Sequence, residues 1–124
     1  MNDKAVRVLE FNKIKEKIKE YAITAKAKEN IMSLLPFVDI KEVRQKRQET
    51  YEALNILFKK GSPPFEGLYD IQEAVIRAEK GGILNPEQLL RIAQVMRCGR
   101  SLQVFMARKE NETPFENLED IAGL

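Results

Sequence analysis

No stretch of this 124-residue chain alternates apolar and polar side chains long enough to form a half-buried strand. Apolar residues recur instead at spacings of three and four almost throughout. A helix turns once in about 3.6 residues, so that spacing gathers them on one face. The chain is therefore constrained to an all-α fold, expected as a bundle of about five to six helices. What remains is where each helix starts and stops, and which face it buries.

Phe11, Ile14, Ile18, Tyr21 and Ala22 make the first stripe, and a short helical turn over Asp3 to Val8, capped by Asn2, is expected before it. Thr24 is the expected cap of the next segment, in which Ala27, Ile31, Leu34 and Leu35 align before Pro36 stops it. "DIKEVRQKRQETYEALNILFKKG" is the clearest helix. Asp39 and Glu42 have capping-box spacing, with Asp in place of Ser or Thr. Ile40, Val43, Tyr51, Leu54, Leu57 and Phe58 are expected on its buried side. Lys59 and Lys60 suit the negative end of its dipole, and Gly61 suits the position just past its end.

After "GSPPFEGLY" the pattern restarts. Asp70 and Glu73 read as a capping pair, Ile71, Ala74, Val75 and Ala78 as a stripe, and Gly81 as the stop. Asn85, Pro86 and Glu87 then open a long helix in the cap, first and second positions. Its apolar residues cover more than half its circumference, a pattern expected to be packed from two sides. Gly99, in its middle, either admits a close helix approach or weakens the helix. Beyond Pro114, Phe115, Leu118 and Ile121 begin a stripe with no room to finish. Residues 1–109 thus read as one helical domain. Residues 110–124, with five acids and no base, read as an acidic tail that opens a further, truncated helix.

Composition narrows the chemistry. A formal net charge of +2 gives no global attraction to nucleic acid or membrane, although residues 1–60 hold 14 basic against 9 acidic residues. The absence of histidine removes the commonest general base and the commonest metal ligand together. A single cysteine, Cys98, precludes an internal disulfide and suits a reducing compartment. No apolar run is long enough for a membrane span, and the N-terminus lacks a signal-peptide core, so a cytoplasmic location is expected.

The candidate motifs have bland readings beside them. "KKGSPPF" and "EKGGILNPE" place glycines near helix ends, but neither has the order or spacing of a phosphate loop, and two prolines remove donors from the first. Both read as turns. Glu16, Glu20, Glu49, Glu52, Asp70 and Glu73 read as solvated faces and caps, which leave a carboxyl unsuited to general-acid work. Cys98 sits between Arg97 and Gly99, with Arg100 near, and reads as a small buried hydrophobe rather than a nucleophile. Lys13, Lys15, Lys17 and Lys19 flank the first apolar stripe as snorkelling side chains. Arg44, Lys46 and Arg47 form a slightly better basic cluster, with no aromatic interleaved for base stacking. No catalytic, cofactor-binding or metal-ligating residue is assigned.

The segments "VLEFNKIKEKI", "LLPFVDIKEV" and "KGSPPFEGLYDIQEAVIRAEKGGILNPEQLLRIA" together resemble the N-terminal region of the MutS-II family, the second bacterial class of MutS proteins. The last also resembles, more faintly, the helical core of mismatch-repair MutS, at Asp70, Ile71, Arg77, Gly82, Pro86 and Leu89. The resemblance implies a helical turn-back in a core and lever scaffold, not a catalytic loop. It further implies a much longer parent: an ABC-type ATPase using ATP and Mg, with a C-terminal Smr endonuclease domain. That parent would dimerise through its ATPase, bind branched DNA, suppress homologous recombination and split stalled ribosomes. No nucleotide or nuclease motif of that kind occurs in residues 1–124. The expectation is a non-catalytic module, with a free-standing helical adaptor as the rival. Direct contact of this segment with nucleic acid is left open, as is the role of Cys98.

Overall fold

The structure, a computed structural model, describes residues 2–107, 116–121 and 123. Among these are seven helices and no strand: α1 (Asp3–Val8), α2 (Phe11–Lys19), α3 (Ala25–Met32), α4 (Ile40–Lys60), α5 (Gln72–Glu79), α6 (Pro86–Met106) and α7 (Glu116–Ile121). The all-α expectation is met, with α1 and α7 as six-residue additions to the five longer helices. Pro114, Phe115 and the start of the acidic tail lie outside the described residues. The backbone divides into two compact units, Met1–Val43 and Arg44–Leu124, with the boundary inside α4.

In the first unit local chemistry sets the helix ends. The Asn2 side chain accepts from Lys4 N (2.9 Å) and Thr24 Oγ1 accepts from Ala27 N (3.1 Å), satisfying amides that have no partner inside α1 and α3. Glu10 adopts the left-handed conformation (φ 54°) between α1 and α2, which breaks what would otherwise run on as one helix. The packing departs from the periodicity. Ile14, Ile18 and Tyr21 are 49, 46 and 87% exposed, and the buried residue of α2 is Lys15. Its Nζ donates to Met32 O (2.8 Å) and Leu34 O (3.3 Å), the free carbonyls where α3 ends, and lies 5.3 Å from the Phe11 ring centroid. A buried ammonium is tolerated because these acceptors replace water and the negative end of the α3 dipole faces it.

The second unit repeats the device twice. Lys60, at the end of α4, donates to Phe105 O (3.2 Å), Met106 O (3.3 Å) and Ala107 O (3.0 Å), the last carbonyls of α6. Glu52, one of the most buried of the described residues, accepts from Leu118 N (3.2 Å) in the first turn of α7. With Ile56 between them, Glu52 and Lys60 form the packed face of α4, and Ile56 and Met106 make the core, with Phe105 and Leu118 against it. The expected buried side is therefore corrected: Ile40, Tyr51, Leu54, Leu57 and Phe58 are all exposed. Periodicity scores Glu52 and Lys60 as solvent residues, whereas both are drawn inward by helix ends that lack partners. α6 is likewise not enclosed from two sides, since Leu89, Leu90, Met96 and Val104 are exposed.

Between α4 and α6 the chain turns back. Gly61 (φ 82°) receives the end of α4, its N–H bonded to Leu57 O. The expected Asp70 cap is replaced: α5 starts at Gln72 behind Ile71, which has no side-chain oxygen to offer. The α5 stop is a Schellman turn, with Gly82 N on Arg77 O (2.8 Å) and Gly81 N on Ala78 O (2.9 Å). A Cβ on Gly82 would lie 2.5 Å from Arg77 Cγ and 2.9 Å from Arg77 O, so no other residue fits unmoved. α6 opens with a full capping box, Asn85 Oδ1 accepting from Gln88 N (2.8 Å) and Gln88 Oε1 accepting from Asn85 N (3.0 Å), and with Pro86 at the first position.

Candidate functional site

The second unit holds a groove of about 850 Å³. α4 supplies Ala53, Ile56 and Leu57 to one wall. Met96, Gly99, Leu102 and Met106, one face of α6, form the other. Pro63 and Phe65 close one part from the α4–α5 connection, and Leu118 and Ile121 enter from α7. Arg100 and Gln103 are the polar residues of the lining. A Cβ on Gly99 would meet no atom within 4 Å, so this glycine opens the groove wall rather than admitting a neighbouring helix.

This volume is in the range of ligand pockets. Its chemistry is narrow, however. Among the described residues of the lining Arg100 is the one that ionises, so these supply no acid/base pair. Cys98 is buried on α6 with its Sγ on Pro64 O at 3.4 Å, in keeping with a packing residue. No group of three or more His, Cys, Asp and Glu residues among those described is placed to hold a metal ion. What such a groove does well is receive apolar side chains, with Arg100 fixing an acceptor at its rim.

The residues weighed from sequence are dispersed. Lys13 pairs with Glu10 (2.6 Å) and Lys19 with Glu16 (3.3 Å) on the surface, while Lys15 is internal. Arg44, Lys46 and Arg47 are exposed on α4, and Lys46 is held by Glu49 at 2.9 Å. That bond keeps the Glu49 carboxyl below its ordinary range against the opposing effect of burial, with lesser help from a Gln45 hydrogen bond and the Lys46 charge. Of the carboxylates weighed, Glu52 is the one that burial sets apart, and it serves as a cap across space. Arg77 and Gly82, two of the positions carrying the family resemblance, meet in the Schellman turn, and Pro86 starts α6.

No family model matches the chain. Endonuclease MutS2 of Clostridium perfringens is 55% identical over 119 residues, covering 96% of this chain and 15% of that protein. Endonuclease MutS2 of Clostridium beijerinckii is 48% identical over 122 residues, 98% of this chain and 16% of the relative. The protein of the same name from Clostridium tetani is 46% identical over 121 residues, 98% and 15% respectively. The chain belongs to the MutS2 family. It spans about one-sixth of the length of these MutS2 relatives. The groove and the glycine turn are thus features of a MutS2-family helical segment. No helix among its described residues is long and apolar enough to cross a membrane.

Proposed function

We propose that the chain is a non-catalytic helical module of a longer MutS2 protein, and that it positions and couples the parts that carry chemistry. The observation that carries this reading is the mismatch of coverage: identity runs through 96–98% of this chain but reaches only 15–16% of each relative. The geometry supports it. Helices joined by short capped turns and tied end to side by Lys15, Lys60 and Glu52 move as units, which is what transmission of a rigid-body motion requires.

In this reading the parent is a homodimeric ATPase and endonuclease that uses ATP and Mg outside this segment. It binds branched DNA, suppresses homologous recombination and splits stalled ribosomes, in the cytoplasm. The decisive experiment is an immunoblot of the native cells with an antibody against this chain. A band several times larger than 14.3 kDa is expected. A band at 14.3 kDa alone would sink the module reading and leave the adaptor, which the open groove favours. Fluorescence anisotropy with branched duplex then locates the DNA contact. A flat response at low salt is expected, whereas binding that weakens steeply with salt would assign phosphate contacts to the exposed Arg44 and Arg47.

A further inference from the structure

The boundary between the two compact units falls inside one continuous helix, between Val43 and Arg44 of α4. The seven residues that follow, "RQKRQET", contain no apolar side chain. Six of them are exposed and Glu49 is half-buried. The buried residues of α4 begin only at Glu52. A helix that is polar all round has no stripe to press on a neighbour and serves as a solvated bridge between domains. The same composition gives the rest of a longer protein no apolar side chain to bury there. We infer that residues 44–50 are a solvated hinge, at which α4 opens and bends so that the two units turn independently.

The bonds within the stretch are local. Glu49 accepts from Lys46 Nζ (2.9 Å) and Gln45 Nε2 (3.3 Å), and Gln48 Nε2 donates to Glu52 Oε1 (3.4 Å). Such pairs add little to a helix in water, and Arg44 and Arg47, one turn apart, repel. Thr50 Oγ1 donates back to Lys46 O at 2.9 Å. A back-bond of that kind weakens the helical ladder and often bends the helix. Seven residues are fewer than the roughly 12–15 that an isolated helix needs, so the flanking turns keep the stretch helical. Those flanks are held: Asp39 Oδ1 accepts from Lys41 N (2.6 Å) before it, and Ile56 joins the core after it. Opening the stretch hands its backbone groups to water and uncovers no core. The tie made by Lys15 lies within the first unit, and those of Glu52 and Lys60 lie within the second. Each unit is thereby stiffened, and the compliance is left to the polar turns of α4.

The hinge does not depend on the function proposed above, although it gives that module its degree of freedom. Residual dipolar couplings of the weakly aligned chain should require two alignment tensors of different magnitude, one for residues 3–43 and one for residues 51–106. Amide exchange should be at least about tenfold faster at Gln48, Glu49 and Thr50, whose acceptors lie inside the stretch, than at residues 56–60 of the same helix, with little dependence on urea. Thr50→Ala removes the back-bond and inserts the best helix former, so it should slow that exchange about two- to threefold and bring the tensor magnitudes together. Gln48→Gly should speed it about three- to fivefold. Both positions are exposed, so both variants keep the fold. A single tensor for the whole chain overturns the inference, as do amides 48–50 protected as strongly as 56–60. Equal protection of these two groups in a full-length MutS2 parent also overturns it, since another part of that protein would then pack on the stretch. Exchange that ignores both substitutions overturns the placing of the hinge.

Discussion

Lys60→Met separates two accounts of one lysine. Sequence assigns Lys60 to the dipole of its own helix, α4, whereas in the structure its ammonium serves the last carbonyls of α6, at 3.0–3.3 Å. Methionine keeps most of the stem and removes the charge and the donors. A hydrogen bond from a charged group contributes about 1.5–3 kcal/mol, and a cation at a helix C-terminus adds about 0.3–1 kcal/mol. Because Nζ shares itself among three acceptors and is partly exposed, the lower part of that range applies, and a loss of about 2 kcal/mol is expected. For a unit of this size that is a fall in Tm of about 8–16 °C. Urea denaturation followed by circular dichroism gives the energy, and amide exchange gives the place. Faster exchange should appear at Met106 and Ala107, the latter bonded to Gln103 O at 2.9 Å. If exchange rises instead at Gly61, whose amide rests on Leu57 O, or if the loss is under about 0.5 kcal/mol, the cross-helix account is wrong.

Two glycines should respond in opposite directions. Gly82→Ala is expected to cost about 1–3 kcal/mol, since its Cβ meets the Arg77 backbone, while Gly99→Ala should stabilise by about 0.5–1 kcal/mol because it enters open space within a helix; thermal unfolding of the two variants checks both. Glu52→Ala removes the acceptor of Leu118 N and should cost about 1 kcal/mol, with loss of exchange protection confined to residues 118–121. Glu52→Gln, which retains an acceptor oxygen, should fall between the two. The lowered Glu49 pKa makes a contribution that is complete above the unfolded carboxyl value of about 4.3 and disappears as pH falls through the lower folded value. Glu49→Gln should therefore be less stable than the unaltered chain by a few tenths of a kcal/mol at neutral pH, as for exposed pairs, and the difference should vanish in urea titrations once pH has fallen below the folded value.

Helix ends were the most legible part of the sequence, because their causes are local. Asn2, Thr24 and Asn85 bond amides two or three residues away, and Gly61 and Gly81 take positive φ at the position following a helix. Asp70 shows the limit: the helix begins one residue later than the acidic spacing implies, with Ile71 at the cap. Helix faces were less legible. Lys15 meets Met32 across 17 residues, Lys60 meets Ala107 across 47, and Glu52 meets Leu118 across 66. Hydrophobic periodicity carries no record of such pairings, so it placed the three charges in solvent and the apolar stripes inside. The one trace was the run Glu52, Ile56, Lys60 at intervals of four, two opposite charges framing the residue that became the core. The groove depends on that face and was hidden with it.

These placements separate what fixes the segment from what it offers. Among the described residues four apolar side chains, Ile56, Ala74, Cys98 and Met106, are buried, so the transfer of oil-like surface from water is modest there. The charged contacts at helix ends supply direction in its place. An ammonium or carboxylate satisfies a helix terminus only at one position, whereas an apolar contact tolerates sliding. Register between helices is thereby set by Lys15, Glu52 and Lys60, and the large apolar side chains of α2, α4 and α6 are released from that task. It follows that substitutions divide into two kinds. Changes at the three charges should alter stability and local exchange, while changes at the exposed Tyr51, Leu54, Met96 or Val104 should leave stability nearly untouched. A polar replacement at Leu54 that unfolded the chain would break that division, because it would mean the exposed face of α4, and not the tied helix ends, holds the segment together.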